Sequence, residues 1–333
     1  MTQEESQEVT QEVTEEAAHE REFLISPGPH LWKGLSVSGI MYLVVYALLF
    51  PVGAGVYFFG HRALSVMGVS IGAAIITEYL CKRLRGKPFV MDGSALVTGL
   101  LFAMVLPPTI PLWMAALGSI FAIAIVKEAF GGLGHNIFNP ALAARAFMSV
   151  SFPMEMTSWV RPMGFGADAV TSATPLSGVS VWQQFDPSVY QAMFLGNTTG
   201  SIGETSVLFI LIGGAFLLAR SVINWRIPAI YIGTVALMAL GLGGDPLFHI
   251  LAGGLMLGAF FMATDYVTSP LTNRGKIIFS VALGALTMII RQFAGMPEGV
   301  CYSILFMNAI TPLIDRYTKV RPYGLQKKVA SAG

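Results

Sequence analysis

An all-α, polytopic membrane protein of about ten transmembrane helices is the expectation for this 333-residue chain, on three grounds. Apolar residues (AVILMFWYC) make up 54% of it and Asp, Glu, Lys and Arg only 12%, about half the charge of an average soluble domain. Mean hydropathy is +0.65. The apolar runs are long and continuous rather than alternating, which argues against a strand-built barrel. With 36 Gly, 22 Phe and two Cys, disorder, a coiled coil and a disulfide scaffold are excluded. A formal charge of +1 offers no field for nucleic acid.

Residues 1–34 are polar and carry the acidic repeat QEVTQEVTEE, with no basic leader and no cleavage site. They read as a cytoplasmic tail, either solvated or a docking arm, and not as a signal peptide. A helical crossing needs about 20 apolar residues. Apolar stretches follow at 35–60, 64–82, 92–107, 110–128 and 139–152, and the first of them must serve as the insertion signal. The third and fifth are short and read as half-helices or tilted segments. Residues 153–204 form a polar loop. The stretches resume at 205–222, 227–243, 246–266, 276–293 and 299–318, and a basic tail, 319–333, closes the chain.

Lys and Arg orient these stretches. With the N-terminus in the cytoplasm, sixteen of the 20 lie inside, only Arg62, Arg161 and Arg291 lie outside, and Arg145 falls within a span. Both termini are then cytoplasmic, loop 153–204 faces outward, and the inner (cytoplasmic) membrane is the location. Five spans on each side of that loop, 35–152 and 205–318, make two halves of opposite orientation. Inverted-repeat transporters share this layout and place their site near the midplane between the repeats.

The outward loop contains Asp168-Ala-Val-Thr171-Ser172-Ala173-Thr174-Pro175-Leu176. As composition this is an ordinary turn. As a pattern it resembles the flavin-attachment sequence Asp-x-x-Ser/Thr-Gly-Ala-Thr of the Nqr and Rnf respiratory complexes, with Ser172 where Gly is usual. The resemblance implies FMN esterified through its phosphate to Thr174 by a flavin transferase that reads Asp168 and Thr171, with the small Ser172 and Ala173 between. Two further segments resemble the NqrB/RnfD family, Gly131-Gly-Leu-Gly-His-Asn-Ile-Phe-Asn-Pro-Ala-Leu-Ala-Ala-Arg145 and Phe261-Met-Ala-Thr-Asp-Tyr-Val-Thr-Ser-Pro-Leu-Thr272. So does the C-terminal end, from Pro297 to Asp315. The likeness covers about Leu35–Arg321, and the short acidic start is closer to the RnfD branch than to NqrB.

The glycines at 131–134 lack the Lys-Ser/Thr ending of a phosphate loop. Asn139 and Pro140 suit the N-cap and first residue of the fifth span. Asn136 lies one turn earlier, and a carboxamide matches the O and N–H edge of an isoalloxazine. By the family resemblance, Asn136 and Asn139 line a non-covalent riboflavin site. Ionisable groups within spans cost about 2.5–3.5 kcal/mol on insertion scales and are functional candidates by default. Arg145 should pair with flavin or with a carboxylate, for which Glu78, Asp92 and Glu128 are the choices. Asp265, Asp315 and Asp92 are candidates for an ion path, with a salt bridge or helix-end role as the alternative for each. Glu298 reads as a cap of the tenth span. Cys81 and Cys301 are too few for a cluster, and no residue set suggests a resident metal.

The functional expectation is a membrane subunit of a ferredoxin:NAD oxidoreductase of Rnf type. It would carry covalent FMN and riboflavin and couple electron transfer to Na⁺ or H⁺ translocation. The chain has no nicotinamide fingerprint and no cysteine cluster. The NAD site, a second flavin and the iron–sulfur centres would therefore belong to partner subunits, and this chain would not be a complete enzyme alone. Two alternatives are a solute channel of urea or ammonium type and the B subunit of the Na⁺-translocating NADH:quinone reductase.

Overall fold

The computed structural model describes residues 36–160, 162, 176, 187–294 and 299–319. Asp168, Thr171, Ser172, Ala173 and Thr174, where flavin attachment is expected from the sequence, lie outside the described residues, as do Arg161 and Glu298. The body Val37–Gly333 is one compact unit. Its described part is helical: α1 Val37–Phe59, α2 His61–Leu84, α3 Ser94–Met104, α4 Leu112–Phe121, α5 Pro140–Ser151, α6 Pro153–Met156, α7 Pro187–Leu195, α8 Val207–Ala219, α9 Arg226–Gly241, α10 Pro246–Leu251, α11 Leu255–Leu257, α12 Asn273–Phe293 and α13 Gly299–Thr318. Two π-helical segments, Ala122–Glu128 and Gly258–Met262, continue α4 and α11.

Every one of the ten apolar stretches contains helix. Among the described residues three helices, Val37–Phe59, His61–Leu84 and Asn273–Phe293, are long and apolar enough to cross a membrane. Local chemistry sets several boundaries. Asn139 Oδ1 accepts from Ala141 N (3.1 Å) and Leu142 N (3.3 Å) ahead of Pro140, and Asp245 Oδ1 accepts from Leu247 N (2.9 Å) and Phe248 N (3.3 Å) ahead of Pro246. Each side chain satisfies donors that a helix start leaves open, and each proline fills a position that needs no N–H. Thr272 caps α12 in the same way, through Gly275 N at 3.0 Å.

The stretch 246–266 is not one helix. It breaks at Ala252–Gly254, where Gly253 adopts φ +66°. Arg291 restores the open carbonyls of the break, donating from Nη1 to His249 O (2.7 Å) and from Nη2 to Ala252 O (3.0 Å). The third stretch likewise stops early, at Met104. Its end is completed by the chain ahead of α8, because Gly203 N donates to Met104 O (2.7 Å) and Ile202 N to Leu106 O (3.1 Å). Residues 199–206 of the polar segment are therefore not surface loop throughout: Ser201, Ile202, Thr205 and Ser206 are buried. Backbone of this kind is tolerated at membrane depth only where protein surrounds it and satisfies its polar groups.

Helices meet through small residues, the usual interface where lipid removes the hydrophobic drive for association. A Cβ on Gly213 of α8 would collide with Ala47 O of α1, and one on Gly284 of α12 would lie 2.5 Å from Thr234 Cβ of α9. The first obstacle is backbone and cannot rotate away. Gly213→Ala should destabilise the body by about 1–3 kcal/mol through overpacking, read as a lower melting temperature in detergent. An unchanged melting temperature would show that α1 and α8 can part without cost.

Candidate cofactor site

Two cavities flank the short α3 and the broken α10–α11. The larger encloses about 780 Å³ counting its open mouth. Its polar wall is Ser94, Lys127, Asn136, Asn139, Thr264 and Asp265, and Phe260 and Phe261 supply much of its apolar wall. The smaller, about 350 Å³ on the same count, is lined by Arg145, Glu204, Gly253, Gly254, Arg291 and Cys301 among others. The chain neighbours Ala141 and Leu142 face different cavities, as do Phe261 and Met262. The same two short runs of chain thus contribute lining to both spaces.

In the larger cavity, Asn136 donates Nδ2 to Phe138 O (3.0 Å), and among the described residues its Oδ1 accepts nothing. Asn139 spends Oδ1 on capping α5 and Nδ2 on Met262 O (3.4 Å). The structure thus brings both asparagines to one cavity, with Asn139 already satisfied and Asn136 holding a free acceptor. Asp265 accepts from Val267 N (3.4 Å) and Thr268 Oγ1 (3.1 Å), which makes it the organiser of the turn after the second π segment as well as a wall residue. Asp315 is away from both cavities and accepts from Leu271 N (3.1 Å).

Arg145 does not pair with Glu78, Asp92 or Glu128. Its Nη1 donates to Glu204 Oε1 at 2.9 Å. The three other acids are engaged elsewhere: Glu78 with Lys127 (2.8 Å) and Lys82 (3.0 Å), Glu128 with Arg85 (3.2 Å), and Asp92 with Ser94 N (2.9 Å). α5 starts at the larger cavity, and Arg145, farther along it, lines the smaller one beside Glu204 of the buried 199–206 segment.

Sequence reasoning missed Lys127, Ser94, Glu204 and Arg291 as site residues. Lys127 is 2% exposed and Glu78 3% exposed, deep burial for charges in an apolar run. Lys127 Nζ also donates to Ser94 Oγ at 2.6 Å. The usable signal was the pair Lys127-Glu128 interrupting an otherwise apolar stretch. Glu204, among Ser, Thr and Gly, carried no such mark.

Residues 24–324 match the family described as NQR2, RnfD, RnfE. The chain belongs to that family. Within it, the chain is 49% identical over 322 residues, 92% of its own length and 97% of the relative's, to the D subunit of the proton-translocating ferredoxin:NAD(+) oxidoreductase complex of Clostridium ljungdahlii. It is 46% identical over 313 residues, covering 93% of itself and 98% of the relative, to the D subunit of the Na(+)-translocating ferredoxin:NAD(+) oxidoreductase complex of Acetobacterium woodii. A third family member, the D subunit of the ion-translocating oxidoreductase complex of Stutzerimonas stutzeri, is 41% identical, with 87% of this chain and 92% of the relative covered. These RnfD relatives match the sequence-based expectation of the RnfD branch, and two of them name different ions.

Proposed function

We propose that the chain is the D subunit of an ion-translocating ferredoxin:NAD⁺ oxidoreductase complex. FMN is esterified to Thr174 on the outer face, and riboflavin sits in the larger cavity, toward the cytoplasm. The observation that carries the reading is the 49% and 46% identity to relatives so named, over 97% and 98% of their lengths. In this reading ten spans form two inverted five-helix halves, both termini are cytoplasmic, and the membrane is the inner one. The third stretch of each half is the short or interrupted one, the pattern that points to a site between inverted repeats. The NAD site, iron–sulfur centres and a further flavin belong to partner subunits.

The residues present suit this assignment. Asn136 offers an unused carboxamide oxygen to a ring N–H, and Lys127 faces the same space with a cation. Leu176, two positions on from Thr174 in the sequence, packs against Gly253 of the smaller cavity's wall, where a Cβ on Gly253 would lie 2.8 Å from Leu176 Cδ1. A flavin supplies reversible one- and two-electron chemistry when bound. Phe261 lines the larger cavity and Leu142 and Met262 the smaller, and apolar lining of this kind opposes ion leakage, because a charge among such side chains costs several kcal/mol. Electrons need no such solvation, so apolar lining that opposes ions does not bar them. Asp265, beside Thr264, is the carboxylate this reading assigns to the translocated cation, whose hardness suits oxygen ligands.

The test is covalent flavin. Purified from native membranes and run on a denaturing gel, the wild-type band should fluoresce, and intact mass should include one FMN phosphoester. Thr174→Ala should lose both signals. A dark, unmodified wild-type chain from an assembled complex would remove the redox assignment and favour a solute channel.

A further inference from the structure

A directed hydrogen-bond chain leads into the larger cavity from the end of the fold that carries Lys82, Arg83, Arg85 and Lys87. Lys127 Nζ donates to Ser94 Oγ at 2.6 Å, and the Ser94 hydroxyl donates in turn to Asp92 Oδ1. Lys127 and Ser94 both line the cavity. Asp92 is only half-buried, and its neighbours Val90 and Met91 are 60% and 52% exposed. Each link is a hydrogen-bond contact, so the chain from solvent-facing carboxylate to cavity wall has no gap.

Charge balance alone does not require this arrangement. Glu78 already pairs with Lys127 and with Lys82. Glu128 pairs with Arg85 and keeps Oε1 buried without a partner. Among the described residues, Asp265 and Tyr266 line the same cavity as Lys127, and the Cys81 thiol lies near Glu78, Glu128 and Arg85. Ser94 therefore does something an ion pair does not need: it links a buried amine to a carboxylate at the surface. A capping role explains the Asp92 contact to Ser94 N but not the engagement of the hydroxyl by Lys127.

We propose that Asp92, Ser94 and Lys127 form a proton relay that supplies the larger cavity when a redox ligand there is reduced. This rests on the reading that a flavin occupies that cavity. The Nζ–H bond of Lys127 breaks and its proton passes to a ring nitrogen. The electron comes from a one-electron carrier, an iron–sulfur or flavin centre in a partner subunit, which is oxidised as the ring is reduced. The Ser94 hydroxyl then turns from Asp92 to Lys127 and gives up its proton to Nζ. Asp92, the acceptor of the Ser94 hydroxyl at rest, takes a proton from water, hands it to the Ser94 oxygen and returns to carboxylate. One proton moves from solvent to the cavity in each cycle, and all three side chains end as they began. The resting direction follows from geometry: Lys127 Nζ is the donor both to Glu78 Oε1 and to Ser94 Oγ.

The experiment uses the assembled complex with Ser94→Ala, Ser94→Thr and Asp92→Asn. Non-covalent flavin is released with denaturant and quantified, and the rate of flavin bleaching on reduction is followed by stopped flow across pH in H₂O and D₂O. The relay predicts that flavin content is retained while Ser94→Ala slows bleaching about tenfold to a hundredfold, in the range of a lost positioned proton donor. Ser94→Thr, which keeps the hydroxyl, should recover the rate, and Asp92→Asn should slow it most at low pH, where the wild-type carboxylate is protonated by water more often. Wild-type rates, pH profile and isotope effect in Ser94→Ala with flavin retained would overturn the relay alone. A wild-type complex that releases no non-covalent flavin would overturn the cavity reading and the relay with it.

Discussion

Glu204→Ala is expected to prevent accumulation of the folded subunit. Arg145 is 3% exposed and is held by Glu204 at 2.9 Å. Removing Glu204 takes away the carboxylate that faces the Arg145 guanidinium, and breaking a buried pair by deleting one partner costs about 3–5 kcal/mol. That cost is a large fraction of the stability of a typical domain. Glu204 also bears on the helix break, since a Cβ on Gly254 would lie 2.5 Å from Glu204 Oε1. The carboxylate thus joins α5, the buried 199–206 segment and the start of α11. Glu204→Gln keeps an acceptor but not the charge and should fall between the two. Arg145→Met combined with Glu204→Leu removes both charges and should recover much of the yield, because replacing a buried pair with apolar groups is often neutral or better. The measurement is the yield and melting temperature of monodisperse detergent-solubilised complex. A Glu204→Ala variant that melts like wild type would mean Arg145 is neutralised by something other than Glu204.

The helices were legible because insertion selects for continuous apolar runs, and those runs survive in the sequence without any knowledge of packing. Asn139-Pro140 was legible as a helix start for a similar reason, since capping is local chemistry. The break in the eighth stretch was signalled by Gly253-Gly254, although a glycine pair is common enough inside membrane helices to pass as a packing face. Arg145 with Glu204 was not legible. The two are 59 positions apart, and a buried charge is paired by tertiary structure, which leaves no spacing rule to read. The buried 199–206 segment was hidden for a related reason. Its Ser, Thr and Gly residues are those of a surface loop, and only the open carbonyls at the end of α3 explain why it turns inward. Lys127 was read for its sign alone. An orientation argument treats every Lys as facing water, whereas this one is buried against Glu78 and Ser94.

Glu78→Ala should produce the second large effect, with a different signature. Lys127 would keep only Ser94, and Lys82 would lose the partner it shares with Lys127. The stability cost is again about 3–5 kcal/mol for an uncompensated buried cation. Lys127, however, faces the larger cavity, whereas Arg145 lines the smaller one. An amine released from Glu78 can swing toward solvent along its flexible stem, as buried lysines near an interface tend to do. The cavity then loses its positioned cation even in molecules that remain folded. The expected result is a lower melting temperature together with loss of the non-covalent flavin, while the fluorescent band attributed to Thr174 persists. Glu78→Ala combined with Lys127→Met should regain melting temperature without regaining that flavin, which separates the packing role of the pair from its role at the cavity. Full retention of non-covalent flavin in the double variant would reduce Lys127 to a structural counter-ion of Glu78.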